Sequence, residues 1–156
     1  MAFPCALLAF LLAAGMSHAQ SLAQLDADFG YRDLKIGAPL DTLETQASFE
    51  GVSAGGVRVY DLYNPAYRQF ENVRLRMVSV QTQNGNIRSV ILEMEPHSSM
   101  EPLKQLFEKR YGSGAASENS VTWVTEKTSL ILLHEPNADV VMAWISMPGV
   151  WMKDEE

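Results

Sequence analysis

Alternating apolar and polar positions give the clearest signal along the chain. VRLRMVSVQTQ (73–83) and IRSVILEME (87–95) are β-favouring runs that meet at Asn84-Gly85. Asn and Gly tolerate the positive φ angles of a type I′ turn, so this segment predicts a β-hairpin. Val90, Leu92 and Met94 fall on one face with the stem of Arg88, while Glu93 and Glu95 project from the other. One buried and one wet face is the pattern of an antiparallel sheet covered on one side. Three more strands are legible as SVTWVTE, SLILLHE and DVVMAWISM, with turns at Lys127-Thr128 and Pro136-Asn137-Ala138. VRVYDLY (57–63) adds a further β-rich segment.

Two stretches carry helical spacing instead. In SSMEPLKQLFEKRYG, Leu103, Leu106, Phe107 and Arg110/Tyr111 recur on one face. Ser98 or Ser99 can cap this helix, Glu101 and Pro102 suit its first turn, and Lys109 and Arg110 complement its C-terminus before Gly112. A shorter amphipathic helix is expected near 39–48, with Pro39 in its first turn, Leu40, Leu43 and Ala47 on one face, and the glycines of 51–56 ending it. Residues 20–33 read as a short lead-in with helical leaning around Leu22 and Leu25. A helix followed by three strands thus runs through 34–95 and recurs through 98–147, as a repeat of pattern rather than of residues. The expectation is one α+β domain over 20–156. Its antiparallel β-sheet has two helices packed on one face and divides into two α-β-β-β halves.

The amino-terminal segment reads as an address. Residues 2–16 are apolar apart from Pro4 and Gly15, and Ser17 and Ala19 occupy the −3 and −1 positions of a signal-peptidase site. The apolar core at 6–14 suits a signal peptide and falls short of the roughly 20 residues that span a bilayer. Residues 1–19 are therefore expected to be a cleaved signal peptide that takes with it Cys5, the chain's one cysteine. Cys5 precedes the apolar core, the wrong side for a lipoprotein's acylated cysteine. The remaining chain would hold no disulfide, thiol nucleophile or thiolate ligand.

Composition narrows the classes further. With 12 Lys+Arg against 19 Asp+Glu in 156 residues, the net charge is −7. That balance argues against nucleic acid, which calls for a cationic surface. Past the leader only His97 and His134 remain as histidines, and there is no Gly-X-Ser-X-Gly elbow, phosphate loop or dinucleotide fingerprint. Glu93, Glu95 and His97 alternate as metal ligands might along a strand. However, same-face residues stand roughly 7 Å apart and Pro96 breaks the run. Met142, Met147 and Met152, with His134, Trp144 and Trp151, have the softness Cu(I) prefers, but Met142 and Trp144 alternate beside Val140 as core residues do. No cofactor is expected.

One segment stands out as a recognition surface. YDLYNPAYRQFENV crowds Tyr60, Tyr63, Tyr67 and Phe70 around Arg68, and Trp151 adds apolar bulk past the last strand. Tyr, Trp and Arg dominate interface hot spots. Leu34-Lys35-Ile36-Gly37 with Leu40 and Leu43-Glu44, and Leu106 with Lys109-Arg110-Tyr111-Gly112, add a likeness. With the tandem helix-plus-sheet pattern, these segments resemble the β-lactamase-inhibitory-protein fold and the small outer-membrane assembly lipoproteins. The chain departs from the first in lacking disulfides and from the second in lacking a lipid cysteine. The resemblance implies a protein-binding module. The expected function is therefore an exported, non-enzymatic protein-binding module of inhibitor or envelope-assembly type, periplasmic or secreted. Its partner would be a cell-envelope protein, met through Tyr60, Tyr63, Tyr67, Arg68, Phe70 and Trp151, with no nucleic acid and no stable membrane anchor after cleavage. The alternative is a periplasmic small-ligand or metal-binding protein.

Overall fold

Strand-forming residues dominate the chain, and the computed structural model gathers most of them into one sheet. The structure describes residues 22–150, so the expected signal peptide with Cys5, and Trp151, lie outside the described residues. Among the described residues there are two α-helices, α1 (22–28) and α2 (Glu101–Tyr111). The strands are β1 (Gly30–Tyr31), β2 (Leu34–Lys35), β3 (Ala47–Val52), β4 (Arg58–Leu62), β5 (Gln69–Phe70), β6 (Val73–Arg74), β7 (Met77–Gln83) and β8 (Asn86–Glu93). Beyond α2 come β9 (Ala115–Ala116), β10 (Ser120–Val124), β11 (Ser129–Glu135) and β12 (Val140–Ser146). Eight strands form the main sheet in the order β3-β4-β7-β8-β12-β11-β10-β9, and every ladder in it is antiparallel. β1–β2 and β5–β6 are separate two-residue hairpins. No helix among the described residues is long and apolar enough to cross a membrane.

The protein is thus α+β with a large antiparallel sheet, as the alternation predicted. Asn84 and Gly85 both have positive φ (53° and 80°), which the tight turn between β7 and β8 requires. A bulge at Arg88 resets the alternation there. Ile87 joins Val90 and Leu92 in the core, while Arg88 donates to the Val150 carbonyl at 3.0 Å. Two expectations need correction. Residues 41–46 form a 3-10 helix, not an α-helix, and residue 47 already begins β3. Leu40 and Leu43 are buried three residues apart, a spacing one 3-10 turn satisfies, and pairing of Ala47 with Leu62 claims the next residue for the sheet. Glu93 does not sit on a wet face: it is 7% exposed and forms an ion pair with Arg76.

Register assigns the core. The cross-strand row Val121, Leu132, Ala143, Leu92, Val78 and Leu62 is buried throughout, as is Trp123, Leu130, Ile145, Val90 and Val80 beside it. These side chains share one cluster with Leu25 of α1 and with Leu103, Leu106, Phe107 and Tyr111 of α2. The Phe107 ring lies 5.7 Å from Trp123, whose indole N–H donates to the Gly112 carbonyl at 2.7 Å just past the end of α2. At that end Gly112 has φ 78°, and its N–H caps the Glu108 carbonyl at 2.9 Å.

Candidate partner-binding surface

Alternate residues of the same strands make a second face, none of which belongs to the core cluster. One row runs Ser120, Leu133, Met142, Glu93 and Met77, and the next runs Thr122, Ile131, Trp144, Ile91, Ser79 and Asp61. A third carries Ser129, Ser146, Ser89 and Gln81. Leu133, Met142, Trp144 and Ile91 are each half-buried, so their apolar edges meet solvent as one patch over the middle of the sheet. Small Ser79, Ser89, Ser129 and Ser146 are buried among these larger neighbours. Ser79 donates to Asp61 at 2.6 Å and Ser89 donates to Gln81 at 3.0 Å. The indole N–H of Trp144 and the Ser129 hydroxyl are buried and lack a hydrogen-bond partner among the described residues.

Sequence reasoning placed Met142 and Trp144 with the core, and this requires correction. β12 is apolar at consecutive positions from Val140 to Ile145, so a period of two selects neither face. Burial selects Val141, Ala143 and Ile145 for the core, and Met142 and Trp144 turn the other way.

The aromatic segment is less uniform than its composition. Tyr63 is 53% exposed and Arg68 is exposed, as a recognition residue should be. Tyr67 is only 5% exposed, and its hydroxyl donates to Asp33 at 2.9 Å. Burial, and next the Asp33 carboxylate, push this phenol up to about 12. Phe70 is half-buried, with ring centroids 5.4 Å from Tyr31 and 5.8 Å from Phe107. Tyr60 is half-buried 5.5 Å from the Phe49 ring. The segment therefore divides into exposed Tyr63 and Arg68 and aromatic rings that pack inward.

The two histidines meet around one carboxylate, which spacing did not foretell. His97 Nδ1 pairs with Asp139 Oδ2, and His134 Nε2 lies 3.0 Å from Asp139 Oδ1. The His97 N–H also donates to the Asp139 carbonyl at 3.0 Å, tying the β8–α2 connection to the β11–β12 turn. Glu93, Glu95 and His97 do not converge, and no group of three His, Cys, Asp or Glu among the described residues is arranged to hold a metal ion. Hydrogen bonds from His97 and then His134 lower the Asp139 pKa from its ordinary value of 3.8. A lowered folded pKa contributes stability above the unfolded value that disappears as pH falls through the folded one. Urea melts should thus show the native protein more stable than Asp139→Asn at neutral pH, and the gap should close as pH falls through the lowered Asp139 value. A gap independent of pH would mean that these contacts are not ionic.

Compared with protein-family models, curated proteins and solved structures, the chain matches none.

Proposed function

We propose that the chain is an exported, non-enzymatic protein-binding module of inhibitor or envelope-assembly type, and that it grips its partner with the second face of the sheet. In this reading both helices pack on the core face, and the strand order reflects two similar halves meeting at β8 and β12. The observation that carries it is the patch of Ile91, Ile131, Leu133, Met142 and Trp144, apolar side chains gathered at the centre of a sheet face outside the core cluster. A patch of that kind on a sheet already pinned by its ladders loses little entropy on docking.

Charge defines the partner's chemistry. Asp61 lies in the rows of this face and Glu135 stands beyond them at the end of β11, while Glu93 is already paired with Arg76. The whole chain carries −7. The partner is accordingly a polypeptide that presents apolar side chains flanked by Lys or Arg. Tyr63 and Arg68 supply a second, smaller contact away from the sheet.

A photo-crosslinking residue introduced at Leu133 tests this in the exporting cell, with the same residue at Glu108 on α2 as the comparison. The expected result is a discrete protein adduct at 133 that is absent at 108. Met142→Ala/Trp144→Ala should weaken it about tenfold or more. Adducts of equal yield at both positions, or an adduct indifferent to the double substitution, would rule out the sheet face. Loss on Tyr63→Ala alone would move the site to the aromatic segment.

A further inference from the structure

A small cavity on the other side of the molecule has a different character from the sheet face. It holds about 120 Å³ beneath the β1–β2 hairpin, between Asp28 at the end of α1 and the last turn of α2. Its walls are aromatic, formed by Tyr31, Phe70, Phe107 and Tyr111, with Ile145 of β12 beside them. Phe70 and Phe107 stand 5.8 Å apart, and Phe107 and Tyr111 stack at 6.1 Å with 17° between their planes. Flat apolar walls of this kind favour a flat or short apolar guest.

The mouth is cationic in a chain that is otherwise acidic. Arg32, Lys35 and Arg110 line the cavity together with one carboxylate, Asp28. That carboxylate is already committed: it accepts from Tyr111 Oη at 2.8 Å, Gln24 Nε2 at 2.8 Å and Arg110 Nε at 2.9 Å. Burial opposes its charge, yet those donors together hold its pKa below the ordinary value. Arg110 is thereby balanced. The other two cations are held by neutral acceptors: Lys35 Nζ donates to the Asp28 carbonyl at 2.5 Å, and Arg32 reaches the Gln69 carbonyl and the Tyr31 hydroxyl. Two positive charges therefore border an aromatic cavity with no carboxylate paired to either among the described residues.

The backbone is shaped to place them. Phe29, Gly30 and Arg32 all have positive φ, at 34°, 145° and 56°, a run that L side chains rarely adopt. The turn brings Arg32 over the Tyr31 ring, with its guanidinium carbon 5.6 Å from the centroid.

We infer that this cavity binds a small organic carboxylate, with its anionic head between Arg32 and Lys35 and its apolar body among the rings of Phe70, Phe107 and Tyr111. The small size of the cavity limits the ligand to a single ring or a short chain. Guanidinium and ammonium donors both form charge-assisted hydrogen bonds to a carboxylate, and the aromatic walls exclude water from its body. The site is independent of the sheet face: its one residue from the main sheet, Ile145, belongs to the core row.

Calorimetric titration of the intact protein with sodium benzoate, alongside the neutral isostere benzamide and inorganic phosphate, tests the inference. Saturable benzoate binding is expected, with benzamide and phosphate each weaker by about tenfold or more. Arg32→Gln/Lys35→Gln should lower benzoate affinity by about tenfold or more while the melting temperature is retained, since both side chains are exposed. NMR shifts on benzoate addition should centre on the Phe70 and Phe107 rings. Equal binding of benzoate and benzamide, affinity unaltered in the double variant, or no benzoate binding up to about 10 mM would overturn the assignment.

Discussion

Phe107→Ala is expected to remove about 3–5 kcal/mol of stability, the range for deleting a large buried aromatic. Phe107 is 1% exposed and its ring is the hub of the aromatic cluster, 5.8 Å from Phe70, 6.1 Å from Tyr111 and 5.7 Å from Trp123. The loss should fall near the top of that range because the ring already borders a cavity of about 120 Å³. Neighbours that enclose one void are poorly placed to collapse into a second. Domains of this size hold only about 5–15 kcal/mol in all, so the melting temperature should fall by roughly 10–20 °C. Thermal and urea melts followed by circular dichroism provide the measurement. A drop of only a degree or two would mean that the cluster is not packed around this ring.

Gly30→Ala should be nearly as damaging although it adds a single methyl group. A Cβ at Gly30 would stand 2.0 Å from the Leu34 carbonyl oxygen, and the φ of +145° is one that alanine rarely adopts. The blocking atom is backbone, and Gly30 and Tyr31 pair with Lys35 and Leu34 across the hairpin. Relief therefore requires opening β1–β2, which also withdraws the Tyr31 hydroxyl from the Tyr67 carbonyl, 2.9 Å away. A cost of about 3 kcal/mol or more follows. Gly37→Ala is the informative comparison: φ is +86°, but nothing lies within 4 Å of the added carbon. That variant should lose only about 1 kcal/mol from the backbone term. Equal urea midpoints for the two variants would show that the close approach at Leu34 does not exist in solution.

Where the signal was local, the sequence could be read directly. Asn84-Gly85 needs only its own φ angles to make a turn, and Leu103, Leu106 and Phe107 need only one helix to share a face, so β7–β8 and α2 were legible. The run 39–52 was not, because the choice between an α-helix and a 3-10 turn followed by a strand was made by β4, which lies outside the segment. Two-residue strands such as β1 and β5 carry no period at all. Glu93 looked like a solvent-facing charge because its partner, Arg76, is seventeen residues away.

The same limit governs the candidate sites. Tyr63 and Tyr67 are chemically equivalent in the sequence, and only tertiary contact with Asp33 separates the buried one from the exposed one. On β12, unbroken apolar character hid which residues would remain outside the core. The cationic cavity draws Arg32, Phe70 and Arg110 from three distant segments, and His97, Asp139 and His134 likewise meet only in the folded chain.

The order of the main sheet also bears on how the chain folds. Along β3-β4-β7-β8, and again along β9-β10-β11-β12, each strand pairs with its predecessor in the main sheet. β8 against β12 is the exception, joining Leu92 to Ala143 across an intervening helix and three strands. Within the main sheet, the ladder with the longest loop to close is thus β8 against β12. That ladder is the one place in the main sheet where the run β3-β4-β7-β8 and the run β9-β10-β11-β12 are joined by backbone hydrogen bonds, so a substitution that opens it separates eight strands into four and four.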